Sequence, residues 1–431
     1  MKDPILFRRQ DTLSAAESRY WKDLFYRTAK IGTEVEVAPP KGVSRPDFET
    51  QVRAALEPSE SFEHLGRYGV FDVRPEHAGI EIRVIGRQPY FSVLHKQYLE
   101  ITNLLLNMGG RPRATCGLHF HLLTPTLAEP VPEIILANLW NLVRRYSPEL
   151  RFITSAGASR DALCRHRMYC SHLEMAHHSP GNMKLSEIQN ALKASHVVPM
   201  HQNFFNLEHI GFDANGNVLP FHIEFRFPDA DLCAISITAK TFLFLAMLLK
   251  AVDLSQYGVI HVGKIVEWRR KIALLEMLNN NDGDLATSDT RGVTDEVLEE
   301  LRGGSRELLD LLAPTFDRFE ESQPLDVLWT LAETPISLLR SAGYDWLDLE
   351  NHLQMRIKLN EDTQFDEVDK HLMKHIDLGE WSGLRDVTEW QWRAAYELFL
   401  TPQDLERRLE QLRVMRGLRW DNRQGTMVFT S

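Results

Sequence analysis

Four short stretches of this sequence carry pairs of ionisable side chains two residues apart: Glu34 and Glu36, Glu81 and Arg83, His119 and His121, and Glu224 and Arg226. On a β-strand, residues two apart share a face and stand roughly 6–7 Å from one another. A sheet built only for burial would carry Val or Leu at such positions. If the four strands lie side by side, one face gathers carboxylates, imidazoles and guanidiniums. That is how a divalent-metal and polyphosphate site could be assembled on a sheet.

Each pair also has an ordinary explanation. Glu34 and Glu36 on one strand face repel each other, and burial worsens this unless a cation compensates; alone, they would read as a solvated edge. In Gly117-Leu-His119-Phe-His121-Leu122 the apolar residues fill the core side, and the imidazoles share the other face. Two imidazoles so placed can ligate a metal or contact phosphate. Glu224 and Arg226 could simply neutralise each other. The coincidence of all four pairs is what argues for chemistry.

Three further signals are weaker. Gly258 to Lys264 has the spacing of a phosphate-binding loop, but Ile265 stands where a hydroxyl should hold magnesium, so a helix or loop is expected there. His172-Leu-Glu174-Met-Ala-His177-His178 departs from the zinc-protease spacing and reads as polar surface. Arg111 and Arg113 precede the histidine strand as ordinary surface charge or as anion contacts.

The elements that must position these residues alternate through the first 250 or so positions. Period-two patterns predict strands at Ile31–Val37, Gly69–Val73, Gly79–Ile85 and Ala114–Leu123. Helices are expected over Phe91–Met108, ended by Gly109-Gly110, and over about Pro132–Tyr146 and Arg160–His177. A β-hairpin is expected from Phe204–Phe212 and Val218–Phe227. A three-residue loop Ala214-Asn215-Gly216, with Gly in the left-handed position, pairs Asn206 with Glu224; a two-residue loop would pair Leu207 with it instead. The first is preferred because it sets a polar residue beside the carboxylate. After Ala230 helical patterns dominate, broken by the polar stretch Asn279–Gly292. The composite is an α+β fold: a domain of antiparallel or mixed sheet over 1–255 and a mostly helical C-terminal region over 256–431.

Composition narrows the function. Of 431 residues, 43% are hydrophobic and 25% charged, as in ordinary globular chains. The net charge of -11 argues against a protein that coats nucleic acid. The N-terminus does not read as a secretory signal, and the longest unbroken apolar run, Phe242–Leu249, is too short for a bilayer. A cytoplasmic protein with no membrane partner is expected. Its four cysteines lack metal or disulfide spacing.

Taken in order, these motifs resemble the carboxylate–amine ligase superfamily, the fold shared by glutamine synthetase and glutamate–cysteine ligase, and within it the amidoligase group. The matching elements are Glu34-x-Glu36, an acidic second strand at Glu81, Gly-Leu-His119-x-His121, Asn206-Leu207, and Ile-Glu224-x-Arg226-Phe-Pro-Asp229. They span about half the chain. The resemblance implies a curved antiparallel sheet around ATP and Mg²⁺ or Mn²⁺. Glu34, Glu36, Glu81, His119 and Glu224 would be metal ligands, and His119, His121, Arg226 and Asn206 would face the nucleotide. Two features depart from it. After Glu81 the sequence runs through Arg83 to Gly86-Arg87-Gln88-Pro89 without the further glutamate of the glutamine synthetase pattern, and the region beyond about residue 256 is not covered.

The implied activity is ATP-dependent joining of a carboxylate to an amine through an acyl phosphate, with Glu224 and Arg226 as the catalytic pair. The partners are small-molecule or peptide carboxylates and amines, and the assembly state is open. Arg83, Arg113 and Arg165 are candidate contacts for the substrate carboxylate. Two competing readings remain: a zinc hydrolase built on His119 and His121, and a non-catalytic nucleotide-binding protein.

Overall fold

A computed structural model describes residues 5–8, 12–56, 69–76, 79–113, 115–124, 131–156, 205–208, 222–262, 295–319, 321–355 and 367–429. They fall in two compact units, Met1–Arg87 with Tyr98–Lys358, and Gln88–Gln97 with Leu359–Ser431. The expected stretches Arg160–His177 and Asn279–Gly292, the hairpin loop at 214–216, His172–His178 and Arg165 lie outside the described residues.

The strands are β1 (Phe7–Arg8), β2 (Lys30–Val37), β3 (Val70–Pro75), β4 (Ile80–Arg87), β5 (Leu118–Leu123), β6 (Phe205–Glu208), β7 (His222–Phe225), β8 (Val259–Ile260), β9 (Leu418–Asp421) and β10 (Thr426–Phe429). In the first unit a six-stranded sheet runs in the order β3-β4-β2-β5-β7-β6, every neighbour antiparallel. Helix and strand mix as an α+β fold. The helices are α1 (Ala15–Thr28), α2 (Arg45–Leu56), α3 (Phe91–Asn107), α4 (Glu133–Arg145), α5 (Ser147–Ile153), α6 (Ala234–Leu254), α7 (Asp295–Phe316), α8 (Gln323–Glu333), α9 (Ile336–Ser341), α10 (Trp346–Gln354), α11 (Glu367–Leu378), α12 (Val387–Glu397) and α13 (Pro402–Arg416).

One face of the sheet is apolar because alternate residues of four of its strands are: Ile31, Val35 and Val37 on β2, Ile80, Ile82 and Val84 on β4, Leu118, Phe120 and Leu122 on β5, Ile223 and Phe225 on β7, all buried. Its central support is α6, whose Phe244 meets the rings of Phe120 and Phe225 at centroid distances of 4.9 and 4.2 Å. Helices α1, α4, α7, α8 and α10 pack on α6 in turn. At 21 residues α6 is long and apolar enough to cross a membrane, and 94% of its apolar window is buried inside the protein. Its strict apolar run reads short because polar side chains such as Lys240 and Thr241 interrupt it. Lys240 is itself buried, ion-paired to Asp231 at 2.5 Å.

The start of α6 is satisfied from two sides. Asp231 accepts from the Cys233 amide and the Ser236 hydroxyl, and Glu350 of α10 accepts from the Ile235 amide. These contacts fill donors that a helix N-terminus leaves open. Just upstream, the buried Asp229 accepts from Arg151 at 3.0 Å and from the Ala156 amide at 2.9 Å, and bridges Gly117 at the entry to β5.

Two glycines matter for the strands that follow. Gly109, at φ 75°, closes α3, whose last turn is tied off by the Gly110 amide on Leu105. At Gly79 a Cβ would lie 2.1 Å from the Val37 carbonyl oxygen, so only glycine lets β4 begin flush against β2.

In the stretch from Gly258 the described residues are loop except for a two-residue strand. Val259 and Ile260 form β8, paired with β1 and held by the buried amides of Asn138 and Asn141. The segment is too short for a periodic pattern, and its partner β1 lies some 250 residues earlier in the sequence. Gly263 and Lys264 lie outside the described residues.

In the second unit, Tyr90 and Val93 share a core with Leu372, Trp381, Trp390, Leu405, Leu409 and Met427. It contains α11, α12, α13 and the hairpin β9–β10, with Met427 opposite Trp420. The helical pattern expected to the end of the chain thus misses a hairpin. Its strands are four residues each, and its turn is set by the Asp421 side chain accepting from the Arg423 and Gln424 amides.

Arg151→Met would leave the Asp229 carboxylate buried without its cation. Such a loss is expected to cost roughly 3–5 kcal/mol, read as a lower midpoint of chemical denaturation. A midpoint equal to the parent's would show that the pair does not hold this corner.

Candidate functional site

The register of the sheet brings the paired residues together. In one row, Asp72 of β3, Arg83 of β4, Glu34 of β2 and His119 of β5 are successive partners. The next row holds Arg74, Glu81 and Glu36. On the other side of Glu34, Gly32, His121, Glu224 and Asn206 are aligned across four strands. Asn206 therefore stands opposite Glu224, the register favoured from the sequence. Only the backbone of β6 is described.

The acidic side chains lie on the face opposite the apolar one and are largely withdrawn from water. Glu36, Glu81, His119 and Glu224 are buried, with His119 only 1% exposed. His119 is the centre. Its Nδ1 is 3.0 Å from Glu34 Oε2 and 3.4 Å from Glu224 Oε1, and its Nε2 is 3.5 Å from Glu36 Oε1. Two groups of possible ligands result, Glu34–His119–Glu224 and Glu36–Glu81–His119, each with one atom per residue lying within 4.8 Å of the others. A neutral imidazole has one lone pair, so His119 can ligate in one group while donating an N–H to the other.

Two arginines rim the cluster. Arg83 Nε meets Glu81 at 2.5 Å and its Nη2 meets Glu34 at 3.3 Å, so one guanidinium touches a carboxylate of each group. Arg226 pairs with Glu224. Glu36 is fixed by the Gly117 amide, which donates to its Oε2 at 2.6 Å. The Asp229 bridge at Gly117 therefore bears on the site.

Burial and pairing pull the titrations apart. Burial would raise the Glu34 carboxyl, yet hydrogen bonds from His119 and His121 outweigh it and hold Glu34 well below the usual carboxylate range. Glu81 is pushed up by burial and by the neighbouring Glu34 charge, against the Arg83 hydrogen bond. Burial disfavours charge on His121, but its bond to Glu34 and that carboxylate's charge raise its pKa.

The donor set is four carboxylates and one imidazole, with no thiolate. Hard oxygen ligands of this kind fit Mg²⁺ or Mn²⁺ rather than zinc. Among the described residues no group of three ligands includes both His119 and His121; instead both imidazoles converge on Glu34 Oε2.

Not every candidate is gathered here. Arg113 is exposed on the turn leading into β5, and Arg165 lies outside the described residues. Arg83 is on the site face, but its guanidinium is held by Glu81 and Glu34. Two residues of the face had not been singled out. Asp72 shares the row of Arg83 and acts on its charge. His222 lies 2.9 Å through Nε2 from His121 Nδ1. The signal for His222 was present, since it stands two residues before Glu224.

No family model and no curated protein matches the sequence. Among solved structures, a bifunctional glutathione synthetase from Pasteurella multocida aligns at 11% identity over 84% of this chain and 57% of its own, with a TM-score of 0.38. The complex between the prokaryotic ubiquitin-like protein Pup and its ligase PafA aligns at 12% identity over 83% of this chain and 70% of the other, also at 0.38. The chain thus spans less than two thirds of the first of these proteins. Likeness at this level carries neither fold type nor activity across, so the chemistry of the site has to be read from its side chains.

For His121 and Glu81 the folded chain binds protons more tightly than the unfolded chain. The stability they contribute is full at low pH and is lost as pH rises through their raised values, for His121 above about 6.5. Glu34 behaves oppositely, losing its contribution only as pH falls well below 4.5. A divalent cation held at Glu34 would therefore compete with positive charge on His121. The rise in melting temperature on adding Mn²⁺ is expected to be larger at pH 8 than at pH 6. An equal rise at both, or none, would contradict this assignment.

Proposed function

We propose that this chain is an ATP-dependent ligase that joins a carboxylate to an amine, using Mg²⁺ or Mn²⁺ bound by Glu34, Glu36, Glu81, His119 and Glu224. The observation that carries the reading is the convergence of four carboxylates and an imidazole on one sheet face, in two groups that share His119. Arg226 at the rim adds a cation suited to phosphate. A curved, glutamine synthetase-like sheet would be the scaffold.

When bound, the divalent cations would neutralise the triphosphate and the charge that develops during phosphoryl transfer. The substrate carboxylate oxygen attacks the γ-phosphorus, the bond to the β-phosphate oxygen breaks, and ADP leaves with its electron pair. Arg226, held beside Glu224 and partly exposed, would stabilise the transferring phosphoryl group. The amine nitrogen then attacks the carbonyl carbon of the acyl phosphate, inorganic phosphate departs, and the nitrogen loses a proton. His121 and Asn206, aligned with Glu224, are the proposed nucleotide-side residues. Arg83 orients Glu81 and Glu34, and Arg113 and Arg165 remain proposed carboxylate contacts.

A zinc hydrolase would need His119 and His121 to ligate one ion together, whereas both rings point at the same Glu34 oxygen. It would also give Glu36, Glu81 and Arg226 no task.

The purified protein is expected to release ADP and phosphate only when a carboxylate, an amine and Mg²⁺ or Mn²⁺ are all present. Hydroxylamine as surrogate amine should yield a hydroxamate. Arg226→Gln should lower turnover by about 10²–10³-fold, and Glu224→Gln should nearly abolish it while the fold persists. Metal-dependent hydrolysis without nucleotide would overturn the reading in favour of the hydrolase. Nucleotide binding with no turnover across amino-acid and peptide amines would favour a binding protein.

A further inference from the structure

Among the side chains of the acidic face that have no part in the proposed reaction, His222 touches the cluster directly. His222 of β7 lies on the same face as Glu224, and its backbone is fixed in register between Leu123 of β5 and Glu208 of β6. Its Nε2 is 2.9 Å from Nδ1 of His121, with the ring planes 29° apart and the centroids 5.2 Å apart. At its other nitrogen, Nε2, His121 faces Glu34 Oε2 at 3.3 Å. The three side chains form a continuous path from half-exposed His222 through His121 to Glu34, a member of the Glu34–His119–Glu224 group.

We propose that His222 is a positioning residue of the cation site: it locks the ring of His121, which in turn fixes the carboxylate of Glu34. This rests on the reading of Glu34 as a cation ligand. An imidazole has only two polar atoms, both in its plane. Turning the His121 ring by a half-turn would put carbon where each nitrogen now sits, so it would break the contacts to Glu34 and His222 together. With His222 in place that turn costs the hydrogen bond to His222 as well as the charge contact to Glu34; without it, only the charge contact. Glu34 Oε2 receives both His119 and His121, so a loosened His121 leaves the carboxylate held by His119 on that oxygen. Partners that orient metal ligands from behind typically change metal affinity by about 10–100-fold when removed.

The test uses the full-length protein and Mn²⁺ alone, with free Mn²⁺ followed by electron paramagnetic resonance. His222→Phe keeps an aromatic ring suited to a strand but has no polar atom. It is expected to weaken Mn²⁺ binding by roughly 10–100-fold. His222→Gln keeps a side-chain N–H close to the position of Nε2 and should restore affinity to within about threefold of the parent, a rescue that a purely structural role would not give. Mn²⁺ binding by the Phe variant equal to the parent's overturns the proposal. A parent that binds no Mn²⁺ overturns the cation reading on which it rests, and so separates the two failures. A second measurement needs no variant: in protein labelled with ¹⁵N-histidine, a scalar coupling is expected across the hydrogen bond between His121 Nδ1 and His222 Nε2. Its absence would overturn the lock itself.

Discussion

Glu34, Glu36, Glu81 and Glu224 could not share one half-buried sheet face without compensating positive charge. Like charges in a medium poorer than water repel strongly, and each also loses hydration. The response here is local and specific. His119 reaches three of the four carboxylates, Arg83 spans two, Arg226 takes one, and the Gly117 amide fixes another. A surface meant only for solubility would spread such charges apart. Concentrating them imposes a cost that divalent cations are suited to relieve, and that links packing to the proposed chemistry.

The rest of the first unit serves the register that makes this face. A slip of any one of these strands by one residue would turn its own glutamates into the core. The slip is opposed on both sides of the sheet: by the continuous apolar face seated on Phe244, and by Gly79, which lets β4 start against Val37 so that Glu81 meets Glu36. Asp229 has a further part. It closes the Ile-Glu-Phe-Arg-Phe-Pro-Asp stretch by binding Arg151 and bridging Gly117, so the end of that motif carries structure while its beginning carries the site.

The site strands were legible in the sequence because period-two alternation is a local signal and each motif lay within one strand. Register was legible in part: the Asn206–Glu224 pairing followed from loop geometry. What could not be read locally was whatever depends on distant partners. The β1–β8 pair joins residues some 250 positions apart, and β8 without β1 is only two apolar residues. The β9–β10 hairpin was hidden by strands too short to outweigh the helical periodicity before them. The units do not follow a single cut near residue 255 either, since α7 to α10 belong with the sheet and Gln88–Gln97 with the C-terminal helices. His222 was overlooked for a different reason. A lone histidine two residues before Glu224 is an ordinary strand residue until the fold sets it beside His121.

The central claim is that this face binds divalent cations together with a nucleotide triphosphate. Diffraction data collected at the manganese edge, from crystals grown with Mn²⁺ and a non-hydrolysable ATP analogue, test it most directly. The account predicts anomalous peaks at Glu34–Glu224 and at Glu36–Glu81, on either side of His119, with the triphosphate over the same face and Arg226 against it. A face without anomalous signal, or a nucleotide bound elsewhere on the chain, would contradict it.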